Sequence, residues 1–262
     1  MGWFSSFRKK VVKYSFLALG FPFLALSGAD WSTTEIHYQL GQLKNVATGG
    51  DSQKTNVFTL QHASGWKYGD NFFFVDWIKN ETSDHGLHAE WYPNISLKKT
   101  TGYDINHVVK DVGLTLGLDV SPKVNFVKYM PGIRFDWDVK RFAFLKTLVA
   151  AYIDDSDGTA FVPAEKNSWI VDTSYKYPFS IRSAKMSLQG HFEYVGERDK
   201  IGGGTSKGWF LSQMQFRYDL GHSVMKTDDK LYLGFEWQYW ENKLGNASID
   251  ENAMQFLTVW AF

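Results

Sequence analysis

Residues 251–262, ENAMQFLTVWAF, decide the fold of this chain. Alternate side chains of a β-strand point to opposite faces, so residues of one parity share a face. An uncovered aromatic strand invites pairing with other chains, whereas a strand that closes a barrel can turn its aromatic face to lipid. The alternative is the last strand of a soluble sandwich or of a lipocalin-like barrel. Only Thr258 interrupts an apolar face made by four residues: Met254, Phe256, Trp260 and Phe262.

The first 29 residues have the layout of a secretory signal peptide. Four basic residues lie before or at the start of an apolar run at 14–26, and the small residues 27–29 form a cleavage site before Asp30. The run is shorter than the ~20 residues that a membrane helix needs, although an uncleaved anchor is the alternative. We expect residues 1–29 to be a signal peptide and residues 30–262 to form one β-barrel.

The composition excludes several classes of function. The chain has no Cys, which removes thiolate chemistry and Cys-ligated metals. Residues 30–262 carry 24 basic and 28 acidic side chains, so a nucleic-acid polymer, which binds clustered Lys and Arg, is not an expected partner. Aromatic residues make up 17% of the chain, while its mean hydropathy is only −0.30. Many aromatic residues without a long apolar run favour a β-barrel, whose lipid face uses every second residue.

Twelve segments after the signal alternate between apolar and polar residues. Shared among 233 residues, each strand and its connection take about 19 residues, of which a membrane strand uses ~9–11. Single-chain bacterial barrels have such an even count. We therefore predict a twelve-stranded antiparallel transmembrane β-barrel in the outer membrane of a Gram-negative cell. The segments are residues 33–43, 56–66, 71–79, 86–98, 107–120, 125–138, 141–153, 168–178, 185–195, 207–218, 229–240 and 251–262.

Two segments carry local irregularities. The seventh is the least clear, because residues 142–145 are apolar on both parities. The fourth contains Pro93, which cannot donate to a sheet ladder and so predicts a bulge.

The connections alternate in length along most of the chain, as in outer-membrane barrels with short periplasmic turns and longer external loops. The alternation fails around 99–106 and 219–228. Short turns are predicted at 67–70, 121–123, 139–140 and 179–184, and longer loops at 44–54, 80–85, 154–167, 196–206 and 241–250.

The charged residues of the segments share one parity, which predicts a polar interior. A charge on the lipid face costs ~2–4 kcal/mol at the bilayer midplane, so this parity must face the lumen. If Asp76 points inward, Phe72 and Phe74 do so too, and inward aromatic rings beside a carboxylate suit a flat, hydroxylated solute. The alternative is an ion-paired interior with only a structural role. We expect solute contacts from eleven residues: Phe72, Phe74, Asp76, Glu90, Tyr92, Arg134, Asp136, Lys146, Asp172, Glu193 and Glu236.

Residues 61–76, QHASGWKYGDNFFFVD, together with the final Phe262, resemble the nucleoside-specific channel-forming outer-membrane proteins, the Tsx-like group. The similarity is strongest over residues 56–78. It implies a monomeric twelve-stranded barrel with a narrow, keyhole-like lumen that passes nucleosides and deoxynucleosides by diffusion. Phe72, Phe74 and Asp76 are the matched positions, and the other eight residues follow from strand parity alone.

An outer-membrane enzyme is the rival class, because twelve-stranded phospholipases with Ser, His and Asn on the outer wall exist. The seven His residues accompany no nucleophile motif and no metal-ligand spacing. We therefore expect no enzyme activity, no cofactor and no metal. The expected partners are nucleosides or similar small solutes and outer-membrane lipid. A closed barrel that conducts nothing is the third class.

Overall fold

The computed structural model of the protein describes residues 28–82, 85–105, 108–159 and 162–262. The predicted signal peptide lies outside the described residues except for Gly28 and Ala29. The strands are β1 (Trp31–Asn45), β2 (Asp51–Trp66), β3 (Gly69–Asn80), β4 (His85–Ser96), β5 (Val109–Ser121), β6 (Phe126–Trp137), β7 (Phe144–Asp154), β8 (Ser168–Ile181), β9 (Ala184–Val195), β10 (Arg198–Asp199), β11 (Thr205–Ser206), β12 (Trp209–Asp219), β13 (Leu231–Glu241) and β14 (Glu251–Ala261).

Twelve of these strands close into one antiparallel barrel, as predicted. Their order around the barrel is β1-β14-β13-β12-β9-β8-β7-β6-β5-β4-β3-β2. The terminal strand β14 pairs with β13 on one side and with β1 on the other. The backbone N–H of Phe262 donates to the carbonyl oxygen of Thr34 at 3.0 Å beside this seam. β10 and β11 form a separate two-stranded sheet between β9 and β12 in the chain.

The two parities separate into an apolar exterior and a polar interior. Leu116 and Phe235 expose 66% and 52% of their surface on the outer wall, whereas Glu236 exposes only 3%. In the described strands, charged outward positions lie near strand ends, such as Lys54 in β2 and Lys79 in β3. The aromatic face of β14 points outward as predicted, and its other face is buried. An apolar outer wall of this kind is stable in contact with the hydrocarbon core of a membrane.

The barrel has two different ends. The terminal end holds the start of β1 and the end of β14, together with the connections 67–68, 97–108, 138–143, 182–183 and 220–230. The long-loop end holds the connections 46–50, 81–84, 122–125, 155–167, 196–208 and 242–250. Among the described residues, no helix is long and apolar enough to cross a membrane. The helices are Leu97–Thr101, the π-helix Gly221–Met225, and the 3₁₀ turns Val46–Thr48, Pro122–Val124 and Lys243–Gly245.

Three local predictions are wrong. The loop predicted at 44–54 is largely strand, because β1 and β2 pair continuously up to Asn45 and Asp51. The short turn predicted at 121–123 is present at Pro122–Val124, but it lies at the long-loop end, so the predicted alternation of lengths fails there. Pro93 marks no bulge, since the register of β4 continues past it on both sides and the β4–β5 ladder only lacks pairs at residues 92 and 93.

Apolar side chains of β6, β7, β8, β9 and β12 pack inside the barrel toward the long-loop end. There the predicted polar lumen is replaced by apolar packing, in which the rings of Trp209 and Trp240 lie 5.3 Å apart. Partly buried Tyr92 and Phe126 pack against the same cluster. We call its eight buried members the apolar plug: Met130, Leu148, Ala150, Tyr152, Ile170, Val195, Trp209 and Leu211.

A buried ion network holds two long loops over the apolar plug. Lys128 Nζ lies 3.1 Å from Asp154 and 2.9 Å from Glu165, and Arg198 Nε lies 2.5 Å from the same Glu165 oxygen. Burial alone would raise the pKa of Glu165, but the charges of Arg198 and Lys128 outweigh it and hold this pKa below its usual range. The network ties connections 155–167 and 196–208 to the barrel rim.

A second network ties connection 242–250 to the seam between the first and last strands. Lys243 Nζ donates to both carboxylate oxygens of Glu251 at 2.9 Å and to the carbonyl oxygen of Lys44 at 2.8 Å. Glu251 in turn accepts hydrogen bonds from the backbone N–H of Lys44 and from the Gln238 amide. Buried ion pairs, together with the packing of the apolar plug, therefore stabilise the long-loop end.

Candidate functional site

A cavity of about 460 Å³ occupies the lumen between the apolar plug and the terminal end. Trp31, Phe144 and Lys176 line it where the strands reach the terminal end, so the cavity opens on that side. Asp136 and Glu193 lie on the inward parity but outside this lining. The other nine residues expected to contact a solute all line the cavity: Phe72, Phe74, Asp76, Glu90, Tyr92, Arg134, Lys146, Asp172 and Glu236.

An aromatic wall on β3 faces the cavity. The rings of Phe72 and Phe74 lie 6.1 Å apart with an interplanar angle of 52°, and Phe74 lies 5.6 Å from the His88 ring. Asp76, next on the same face, accepts a 2.6 Å hydrogen bond from the Thr59 hydroxyl. All three side chains line the cavity, as strand parity predicts, so two aromatic rings lie beside a carboxylate there.

Arg134 organises the terminal half of the cavity. Its guanidinium donates two hydrogen bonds of 2.7 Å to Asp70, and two of 2.7 Å and 3.1 Å to Asp136. Lys146 Nζ lies 3.4 Å from Asp70. Paired guanidinium–carboxylate bonds fix geometry as well as charge. The network therefore crosslinks β3, β6 and β7, and Asp136 takes part in it without lining the cavity.

A second polar network lines β1, β12 and β13. One Glu35 oxygen lies 2.9 Å from Arg217 Nη1 and 2.8 Å from His37 Nε2. Arg217 Nε donates to Gln215 at 2.8 Å, and the Gln215 amide donates to Glu236 at 2.7 Å. Each charge of this network has an opposite charge or an amide partner, as buried charges require.

Carboxylates and imidazoles alternate at the inner end of the cavity. His88 Nε2 lies 3.0 Å from Glu90, whose other oxygen accepts a 2.5 Å hydrogen bond from the Tyr92 hydroxyl. His191 Nδ1 lies 3.0 Å from Asp172. Tyr92 packs directly against the apolar plug. We call this group the acidic layer: Asp76, Glu90, Asp119, Asp172, Glu193 and Glu236, with His88 and His191.

Sequence reasoning missed Asp70 and several neutral residues of the cavity lining, and it missed His88 and Asp119 in the acidic layer. Asp70 is predicted within the turn at 67–70, whereas β3 begins at Gly69 and pairs Asp70 with Arg134. His88 and Asp119 lie on the polar parity of their segments, and this position in the alternation could have predicted that they face the lumen. Neutral residues such as Gln215 carry no charge that would single them out from the sequence.

The outer wall carries one pair that a hydrolase could use. Thr34 Oγ1 lies 2.8 Å from His62 Nδ1, and both side chains face outward. In the described part of the chain, His62 Nε2 has no hydrogen-bond partner. A catalytic base needs a third group to orient it, so this pair supports no assignment as an acyl-transfer site.

Comparisons with known proteins place the fold. No protein-family model matches the chain, and no curated protein matches it in sequence. A NanC porin structure is similar to it, with a TM-score of 0.52 and 12% identity over 87% of this chain and 98% of that chain. A KdgM porin in complex with disordered oligogalacturonate is similar with a TM-score of 0.50 and 9% identity, over 88% and 99% of the two chains.

At these identities the likeness concerns the fold. The similarity to the two porin structures agrees with the closed, even-stranded barrel and its apolar outer wall. Barrels of this architecture are found in outer membranes. The resemblance to the nucleoside-specific channels stays a prediction. The chain is a twelve-stranded β-barrel of the outer membrane with a porin-like fold.

Proposed function

We propose that the protein is a passive outer-membrane channel that accepts nucleosides and similar small, flat solutes in its lumen. The observation that carries the proposal is the aromatic wall of Phe72 and Phe74 beside Asp76 in a cavity of about 460 Å³. Small-molecule sites typically measure ~300–1,000 Å³. A flat base stacks on aromatic faces, at about 0.5–1.5 kcal/mol per pair, and a carboxylate accepts hydrogen bonds from ribose hydroxyls or base amines.

The charge of the cavity favours a neutral or cationic solute. Its lining contains six carboxylates and four Lys or Arg side chains. An anionic sugar chain such as the oligogalacturonate seen with KdgM porin would meet repulsion from that excess. Neutral nucleosides avoid this penalty.

Passage in either direction requires the apolar plug to open. Long loops face outward and short turns face the periplasm in outer-membrane barrels, so the cavity opens toward the periplasm and the plug toward the outside. We further propose that one chain suffices, because the twelve strands pair around the full circle.

The experiment is uptake into liposomes by the purified barrel, comparing nucleosides with sugars of similar size. We expect faster entry of nucleosides, and loss of that preference in Phe72→Ala/Phe74→Ala. Phe73→Ala is the matched control, because Phe73 lies between them on the lipid-facing side and stacks on His62. Equal rates for both solutes in the wild-type protein would remove the nucleoside assignment and leave a general pore.

A closed barrel that binds a ligand without passing it is the second candidate. The apolar plug favours it, because buried side chains fill the long-loop end. Nucleoside binding measured by calorimetry without uptake into liposomes would support this candidate and exclude the channel.

A further inference from the structure

The acidic layer holds more negative charge than the described residues around it balance. Six carboxylates face two imidazoles, and their charges interact as one group across the lumen. Lys128 acts on Asp119 and Arg217 acts on Glu236, but Lys128 is bound to Asp154 and Glu165, and Arg217 is bound to Glu35 outside the layer. Even with both imidazoles protonated, the layer keeps an excess of negative charge, which in a buried site must be matched by protons or by cations.

One carboxylate oxygen in this layer is left without a hydrogen bond. Asp119 exposes only 8% of its surface, and its Oδ1 accepts no hydrogen bond within the described residues. The nearest cationic group is His88 Nδ1 at 3.4 Å, which lies closer to the Ser121 hydroxyl, at 3.0 Å. A buried carboxylate oxygen in this state is available to an added cation.

Asp119 is also one of three potential ligands that converge. One ligand atom each of His88, Glu90 and Asp119 lies within 4.8 Å of the other two. Asp172, His191 and Glu193 form a second set of the same composition. Adjacent strands β4 and β5 supply the first set, and β8 and β9 supply the second, so both sets are held by paired backbones rather than by loops.

We propose that His88, Glu90 and Asp119 form a binding site for a divalent first-row transition-metal ion, with Zn²⁺ as its probe. One imidazole nitrogen and two carboxylate oxygens are a donor set that such ions accept, whereas Mg²⁺ and Ca²⁺ prefer oxygen alone. Binding replaces the imidazole–carboxylate contacts by metal–ligand bonds. Glu90 lines the cavity and the side chain of His88 beside it is 27% exposed, so an ion can enter the set past Glu90. The site departs from the expectation, drawn from the sequence, that the chain binds no metal.

The test is a calorimetric titration of the chelator-treated full barrel in detergent with Zn²⁺. We expect saturable binding that is weakened about tenfold or more in Asp119→Asn and in His88→Gln. Asp76→Asn is the matched control for metal affinity, because it removes a carboxylate of the same layer outside the three-ligand set. Its Zn²⁺ affinity is expected to fall much less than that of Asp119→Asn, because Asp76 acts on His88 through its charge alone and supplies no ligand atom to the set. The heat-shifted gel mobility of each variant verifies that the barrel is folded.

Each other outcome overturns the proposal. Equal losses in Asp76→Asn and Asp119→Asn would indicate a diffuse pool of negative charge. A loss in Asp119→Asn without one in His88→Gln would indicate an all-oxygen site for a hard cation. No saturable binding by the folded wild-type barrel would exclude the site outright. All these readings are independent of whether the lumen passes nucleosides.

Discussion

At the scale of single residues, Arg134 joins two carboxylates of the cavity region, because its guanidinium donates four hydrogen bonds to Asp70 and Asp136. Arg134→Met would leave the half-buried Asp70 with only Lys146, 3.4 Å away, as a nearby cation. Breaking one side of a buried ion pair typically costs ~3–5 kcal/mol, and we expect a loss of about 3 kcal/mol in the free energy of unfolding. Urea titration of the barrel in micelles measures it.

The matched control is the double variant Asp70→Asn/Arg134→Met, which removes both charges. It should recover part of the loss, because Asp70 no longer carries an uncompensated charge and only Asp136, whose side chain is 22% exposed, has lost its guanidinium partner. A double variant as unstable as Arg134→Met would show that Asp70 and Arg134 do not act as a pair.

Strand parity could predict which residues face the lumen, but not which of them meet. Asp76 and Glu236 point inward because each is flanked by lipid-facing apolar residues on its strand. The pairing of Asp70 with Arg134 spans 64 residues of sequence, and no local pattern encodes it. Asp119 and His88 meet for the same reason, through the register of β4 and β5.

At the scale of elements, the ion network at Glu165 fastens the loops. A carboxylate whose pKa is lowered by folding stabilises the fold above its usual pKa and loses that contribution as the pH falls. The pKa of Glu165 is lowered by Arg198 and Lys128 against the effect of burial. We expect connection 155–167 to loosen as the pH falls below about 4.

Glu165→Gln should loosen the same loop at neutral pH. Trypsin cleavage after Lys166 is the measurement, and we expect it to be clearly faster than in the wild-type protein. Asp199→Asn is the control, because it removes only an exposed 2.9 Å pair with Lys166, and such surface pairs contribute little. Unchanged cleavage in Glu165→Gln would show that packing alone holds the loop.

The elements themselves were largely predictable, and their ends were not. All twelve barrel strands coincide with alternating segments, because one wall faces lipid and the other faces a mostly polar lumen. Residues 142–145 are ambiguous because they cross the start of β7: residues 142 and 143 belong to the connection 138–143, and Phe144 lines the cavity while Leu145 lies on the other face of the strand. The loop at 44–54 was mispredicted because polar residues of β1 and β2 continue the ladder beyond the apolar stretch.

At the scale of the whole molecule, the apolar plug lies between the cavity and the long-loop end. Trp209→Ala/Leu211→Ala shortens two buried side chains of the plug, and we expect small-solute uptake into liposomes to rise several-fold. The two truncations should also lower stability, since Trp→Ala in a packed interior typically costs ~3–5 kcal/mol. The control is Phe235→Ala, an exposed change on the lipid-facing wall. Uptake unchanged from that of Phe235→Ala would place the permeation barrier elsewhere.

The position of the apolar plug has an electrical consequence. A water-filled cavity conducts ions and holds little potential difference, whereas a packed hydrocarbon layer holds nearly all of it. A voltage applied across the bilayer therefore falls mainly over the few layers of side chains around Val195 and Trp209. A unit charge that crosses 100 mV gains ~2.3 kcal/mol, so Lys128 and Glu165 at the rim of these layers sit where an electric field acts most strongly on the barrel.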